Sequence, residues 1–314
     1  MNILITGSTG LIGQALISEL IKPHIHSHPK SNTAISKTAD ELSITALTRN
    51  TGQANLITSP CLSYCSNLGD IDFNHLDVVI NLAGEPIADK RWTTKQKEQI
   101  CESRWSITQT LSSKINAAKT PPHTFISGSA IGYYGRQDET VQVTENYQEI
   151  HKEFTHTVCE KWENIAMRAS EHSRVCLLRT GIVLDSHKGA LAKMLLPFKL
   201  GLGGPIANGQ QMMSWIHIQD MVAIILELIN NETLSGSINA TAPNPVSNNE
   251  FSKVLSKQLN RPCLFRAPKL VMRLALGEMS DLILYGQGVY PEKLTNTGFQ
   301  FAYPTLDEAI ASLV

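Results

Sequence analysis

Short apolar runs alternate with longer amphipathic stretches through the first 184 residues. Residues 2–6 (Asn-Ile-Leu-Ile-Thr) are a compact apolar run and predict a buried strand. Leu11, Ile12, Ala15, Leu16 and Leu20 then recur at helical spacing, predicting a helix over 11–21. Residues 43–48, 76–82, 124–129 and 174–179 are further short runs that read as strands. Between them, Thr93-x-x-Gln96 has the form of a capping box, and Ile100, Ile107, Leu111 and Ile115 make one stripe of the helix it opens. A long helix is predicted over 152–169. Strand–helix alternation of this kind predicts a parallel sheet with helices on both faces.

The pattern changes after residue 185. Leu200–Gly209 is too rich in glycine for a helix or a regular strand. A helix is predicted from about Asp220 to Ile229. Ser247-x-x-Glu250 and Thr305-x-x-Glu308 open two more. The expected fold is α/β: a Rossmann-type doubly wound parallel sheet with a smaller C-terminal α+β lobe on the substrate side. The expected division places the sheet domain at 1–184, with a returning strand near 237–240, and the smaller lobe at 185–314. The polar stretch Pro23–Asp40 reads as a surface loop, and His24, His26 and His28 within it as solvated residues rather than a metal site.

Composition narrows the class. The 314 residues are 42% hydrophobic and 18% charged, below the usual ~25% charged, which excludes a disordered chain. A formal net charge of -1 offers no overall field for nucleic acid or an anionic membrane, so neither is an expected partner. Six scattered cysteines without a C-x-x-C pair read as reduced thiols, and no apolar run reaches transmembrane length. The expected setting is the cytoplasm, and the expected oligomeric state a monomer or homodimer.

The strongest chemical signal is Gly7-Ser8-Thr9-Gly10-Leu11-Ile12-Gly13, lying between the first strand and the first helix. Gly7 permits a sharp turn, Gly10 lets the backbone approach a pyrophosphate, and Gly13 lets the helix sit close on the strand. Free N–H groups at the helix start then face phosphate. The second strand ends at Thr48-Arg49, where an NAD-binding unit usually carries an acid for the ribose 2′-hydroxyl. An arginine fork there suits a 2′-phosphate and favours NADP(H), the alternative being a solvated surface arginine.

Thr6-Gly7-x-x-Gly10-x-x-Gly13 together with Asn81-Leu82-Ala83-Gly84 resembles the extended short-chain dehydrogenase/reductases. Ser129 to Gly135, Lys161-Trp162-Glu163, Leu200 to Pro205, Ser214 to Ile218 with Asp220, and Pro243-Asn244-Pro245 are similar to one atypical, epimerase-like subfamily. Its members carry a C-terminal domain of unknown function and have no assigned substrate. The resemblance spans the chain apart from the loop at 23–40. It implies that Gly7 to Gly13 hold the pyrophosphate and that Thr48 and Arg49 face the adenosine 2′-phosphate. It further implies that Leu82, Ala83 and Gly84 pass the ribose and nicotinamide. Arg104 falls where the wider family often has an asparagine contact, and Val183 where its chain passes the nicotinamide, core packing being the other reading of Val183.

The wider superfamily works with Ser, Tyr and a Lys four residues after the Tyr. None of the seven tyrosines here is followed by lysine at that spacing. Counting back from Glu163 puts Thr155 at the tyrosine place and Cys159 at the lysine place. Ser129 fits the serine place, where it could polarise a carbonyl. Candidate replacement acids are Tyr133 or Tyr134, His156, Cys159 and His217. Against these stand packing roles for the tyrosines, a small buried hydrophobe for Cys159 and a helix cap for His217. Arg179 and Gln210 are candidates for orienting a polar ligand. Two functions follow: an NADP(H)-dependent epimerase or oxidoreductase-like enzyme on a small polar substrate, or a non-catalytic NADP(H)-binding regulatory or interaction protein.

Overall fold

The structure is a computed structural model in which residues 1–22, 42–49 and 57–314 are described. The loop at Pro23–Asp40, with His24, His26 and His28, lies outside the described residues. In chain order the first half contains β1 (Asn2–Thr6), α1 (Leu11–Leu20), β2 (Ser43–Leu47), β3 (Leu62–Cys65), β4 (Val78–Asn81), α2 (Thr94–Ala117), β5 (Thr124–Ala130), β6 (Gln142–Val143), α3 (Phe154–Ala166) and β7 (Arg174–Thr180). The second half contains β8 (Ile182–Leu184), α4 (Gly189–Lys199), β9 (Met212–Met213), β10 (Trp215–His217), α5 (Ile218–Asn230), β11 (Gly236–Ala240), β12 (Val246–Ser247) and α6 (Asn248–Gln258). It ends with α7 (Lys269–Leu276), α8 (Asp281–Leu284), β13 (Gly288–Val289), α9 (Glu292–Asn296) and α10 (Leu306–Ala311).

Seven strands form one sheet in the order β11-β7-β5-β4-β1-β2-β3, with parallel pairing throughout. The chain leaves β1 toward β2 and β3 on one side, then crosses back to β4 on the other. The ends of β1 and β4 therefore flank the switch point, where an open α/β sheet leaves a crevice for a ligand. The period-two alternation of β1 explains how the sheet is sandwiched. Ile3 and Ile5 join Leu16 and Ile17 of α1 and Ile224 and Ile225 of α5 in one core. Leu4, between them, faces the opposite core with Leu111 and Ile115 of α2.

The C-terminal region is small and largely helical, with its own core around Leu191, Phe198, Trp215, Phe251, Leu255 and Ile310. Its strands are two- and three-residue pairs. Three local differences from the sequence expectation have physical causes. The helix expected over 152–169 closes at Ala166 and continues only as a 3-10 turn at Met167–Ala169. Helix α4 was hidden by Gly189 at its start and Pro197 within it. At Thr305 the hydroxyl bonds the Glu308 carboxylate at 2.7 Å instead of a backbone N–H, unlike Thr93 and Ser247, which cap as expected.

Candidate functional site

The glycine turn joins the end of β1 to α1 at the switch point. Gly7 has φ +70°, and a Cβ there would stand 2.4 Å from the Leu82 carbonyl oxygen. A Cβ on Gly13 would stand 2.3 Å from the Gly7 carbonyl oxygen. Both glycines are thus required by the chain's own packing. Gly10 differs, since its Cβ would meet only the Gly7 oxygen, at 3.2 Å. The space in front of Gly10 is left open by the protein. Gly10 is also the N-cap of α1, and no side chain caps that end. The first-turn N–H groups are left for a ligand or water. An open cradle under uncapped amides suits a pyrophosphate.

Other segments close around this turn. The buried Ser8 donates to the Leu47 carbonyl at 3.0 Å, tying the turn to the end of β2, while Thr9 is exposed. Thr48 is buried and Arg49 exposed just beyond that strand end. At the end of β4, Asn81 accepts from Thr6 at 2.6 Å and donates to Thr108 of α2 at 2.8 Å. Trp162 of α3 also donates to Thr108, at 2.9 Å. This chain fixes the path of Leu82, Ala83 and Gly84. Arg104 donates to the Glu85 carbonyl at 2.9 Å, and its guanidinium lies where a Gly84 Cβ would be, 2.9 Å from Cζ. Burial holds the Arg104 pKa below its ordinary value. Val183, in β8, precedes Gly189, which approaches Leu11 at the start of α1.

A buried network lies at the ends of β5, β7 and β11. Ser129 donates its proton to Glu163 at 2.6 Å. Arg179 clamps the same carboxylate from Nε at 2.9 Å and from Nη2 at 2.8 Å. Its Nη1 donates to the Tyr134 hydroxyl at 2.9 Å, which in turn donates to Asn239 at 2.7 Å. Burial alone would disfavour the Arg179 charge, but the hydrogen bonds and charge of Glu163 outweigh it and raise its pKa. Burial pushes Tyr134 up to about 12. With its one proton on Glu163, Ser129 keeps only lone pairs for a substrate.

Tyr133 is placed differently from its neighbour. Its ring centre lies 3.6 Å from the Arg179 guanidinium carbon, and its hydroxyl makes no hydrogen bond among the described residues. Its backbone carbonyl is 2.6 Å from His156 Nδ1. Thr155 donates to Glu153 at 3.0 Å. Cys159 is buried, and desolvation, with the charge of Glu163 next, pushes its thiol up to about 12. A cleft of about 1120 Å³ lies between the 136–151 segment and the C-terminal region, where Arg136, Arg266 and Lys269 share its lining with Asp138, Glu139 and Glu149, and none of the network residues lines it. Arg179, expected from the sequence to orient a polar ligand, is instead bonded to Glu163 and Tyr134, and Glu163 was visible in the sequence only as part of a motif. Gln210 is exposed.

His217 caps α5: its Nδ1 accepts from the Gln219 N–H at 3.1 Å, and its Nε2 lies 3.2 Å from Ser312 Oγ. Burial lowers its pKa to about 4. The neutral ring therefore stabilises the fold fully above the unfolded pKa of ~6.5, and the contribution is lost as pH falls toward 4. His217→Asn keeps a capping oxygen but does not titrate. In urea titrations the wild type should lose about 2–3 kcal/mol relative to this variant between pH 7 and pH 4. An equal pH dependence in the two proteins would contradict the assignment.

Residues 3–240 match the NAD dependent epimerase/dehydratase family, and residues 267–313 match a domain of unknown function, DUF1731. An epimerase family protein of Staphylococcus aureus (strain N315) is 37% identical over 317 residues, covering 99% of this chain and 98% of the relative. Another, from Staphylococcus epidermidis, is 35% identical over 316 residues with the same coverage. The crystal structure of human epimerase family protein SDR39U1 (isoform 2) with NADPH superposes with a TM-score of 0.86 at 29% identity, covering 100% of this chain and 99% of that one. A nucleoside-diphosphate sugar epimerase from Corynebacterium glutamicum gives 0.72 at 29% identity, with this chain spanning 58% of it. No helix among the described residues is long and apolar enough to cross a membrane. With its parallel sheet, its glycine turn at the switch point and a family match over most of its length, the chain belongs to the NAD dependent epimerase/dehydratase family.

Proposed function

We propose that this chain binds NADP(H) along Gly7–Gly13, Thr48–Arg49 and Leu82–Gly84, and acts as an oxidoreductase or epimerase on a small polar substrate. When bound, the cofactor supplies or accepts a hydride. The protein's task is then to hold the reacting carbon and move one proton. The observation that carries this reading is Tyr133, a phenol with a free hydroxyl whose ring rests on the Arg179 guanidinium. The cation against the ring face holds the phenol in one orientation and leaves its hydroxyl available to a substrate. Cys159 and Thr155, at the places of the missing lysine and tyrosine, have no comparable capacity. Ser129 orients a substrate hydroxyl by accepting its hydrogen bond. The NADPH-bound human relative supports the cofactor choice, as does the cation at Arg49.

Single-turnover oxidation of NADPH against carbonyl compounds and nucleotide sugars tests the assignment. Tyr133→Phe should slow turnover by roughly 100-fold or more while NADPH affinity stays unchanged. Arg49→Ala should weaken NADPH by about tenfold or more and leave NADH unaffected. Full turnover in Tyr133→Phe would remove that residue from the mechanism. NADPH binding without turnover of any compound would favour the non-catalytic regulatory or interaction role.

A further inference from the structure

The ten exposed large hydrophobic side chains of the described residues are unevenly spread. Eight fall in two segments: Leu196, Leu200 and Leu202, and Leu264, Phe265, Leu270, Val271 and Leu274. Several protrude almost freely, Leu264 at 81%, Leu274 at 71% and Leu270 at 68% exposed. The segments are neighbours in space. Arg261 Nε donates to the Lys199 carbonyl at 2.7 Å, and Gly204 packs under the Phe265 backbone. Ile206 and Ala267 form a parallel bridge. Leu270, Val271 and Leu274 lie on α7, which begins two residues after the Ala267 bridge and has no buried residue. Leu270 and Leu274 are one turn apart, with Val271 beside them.

Charge is equally uneven. Residues 186–219 and 251–277 contain no Asp or Glu, although the chain has 28. Around the apolar side chains stand Lys199, Arg261, Arg266, Lys269 and Arg273; none forms an ion pair among the described residues, while Lys269 and Arg273 each donate to the Tyr285 hydroxyl at 3.3 Å and Arg266 and Lys269 share a cleft with Asp138, Glu139 and Glu149. The overall charge of -1 averages this face away. Two such faces would repel each other, so a second copy of the chain is a poor occupant. Long aliphatic side chains that protrude singly, bordered by unpaired cations, match the boundary between anionic headgroups and acyl chains, which requires no shaped counterpart.

We propose that this face docks peripherally on an anionic lipid bilayer, with Leu264, Phe265, Leu270 and Leu274 entering the headgroup boundary and the surrounding cations on lipid phosphates. Lys269 and Arg266 also line the large cleft, whose mouth would then open beside the lipid surface. The proposal does not depend on the catalytic reading above.

The test is co-sedimentation of the full chain with vesicles of phosphatidylcholine alone or mixed with phosphatidylglycerol. Binding should require the anionic lipid and fall with added salt. Leu270→Glu/Leu274→Glu should cut binding about tenfold or more, with the circular dichroism spectrum and NADPH affinity unchanged. The proposal is overturned by wild-type protein that stays in the supernatant with anionic vesicles. It is equally overturned by vesicle binding that is indifferent to the double substitution. Concentration-dependent dimerisation abolished by the same substitutions, without lipid binding, would assign the face to a second copy instead.

Discussion

Gly10→Ala should leave the fold at wild-type stability and still reduce NADPH binding by two orders of magnitude or so, whereas Gly7→Ala should lose both. The distinction follows from what each added methyl would meet. At Gly10 the nearest protein atom is 3.2 Å away, a contact relieved by a shift of a few tenths of an ångström. The methyl instead occupies the approach to the uncapped amides of α1. At Gly7 the backbone is in the left-handed region and the new Cβ would lie 2.4 Å from the Leu82 oxygen. Left-handed strain costs about 1–3 kcal/mol, and the clash adds about as much again. Urea melts paired with NADPH fluorescence titrations separate the two effects. Wild-type affinity in Gly10→Ala would place the pyrophosphate elsewhere.

Glu163→Gln should destabilise the protein by about 3–5 kcal/mol, because it leaves the buried Arg179 cation facing a neutral amide. The amide keeps one acceptor oxygen and puts a donor in place of the other, so at least one arm of the Arg179 clamp is lost. The midpoint of urea unfolding should fall with an unchanged slope. Adding Arg179→Met should recover part of the loss, since it removes the uncompensated charge, and the double-mutant cycle should show strong coupling. Additive single effects would mean that the two residues do not act as a pair.

Both predictions rest on features of unequal visibility in the sequence. The glycine turn was legible because its logic is local. Seven consecutive residues between a strand and a helix carry both the turn and the helix start. The caps at Thr93 and Ser247 were legible for the same reason. The Ser129–Glu163–Arg179 cluster joins positions up to 50 residues apart, on β5, α3 and β7, and no local pattern shows that they meet. Tyr133 and Tyr134 are adjacent in sequence and equivalent as letters. Only the direction of each ring separates a phenol buried against Asn239 from one with a free hydroxyl over Arg179.

The charge balance shows the same limit from the other side. A net charge of -1 is a sum over the chain, and a sum carries no position. The tertiary structure brings residues 199–207 beside 261–267 and turns their aliphatic and cationic side chains outward together. By itself the sequence determined the strand–helix alternation, the parallel sheet and the glycine cradle, because hydrophobic period and backbone freedom act between near neighbours. The tertiary structure alone decided which polar groups are paired in the interior and which apolar ones are left on the surface. Those outcomes depend on contacts between distant segments, and they exist only once the sheet and the C-terminal region have packed.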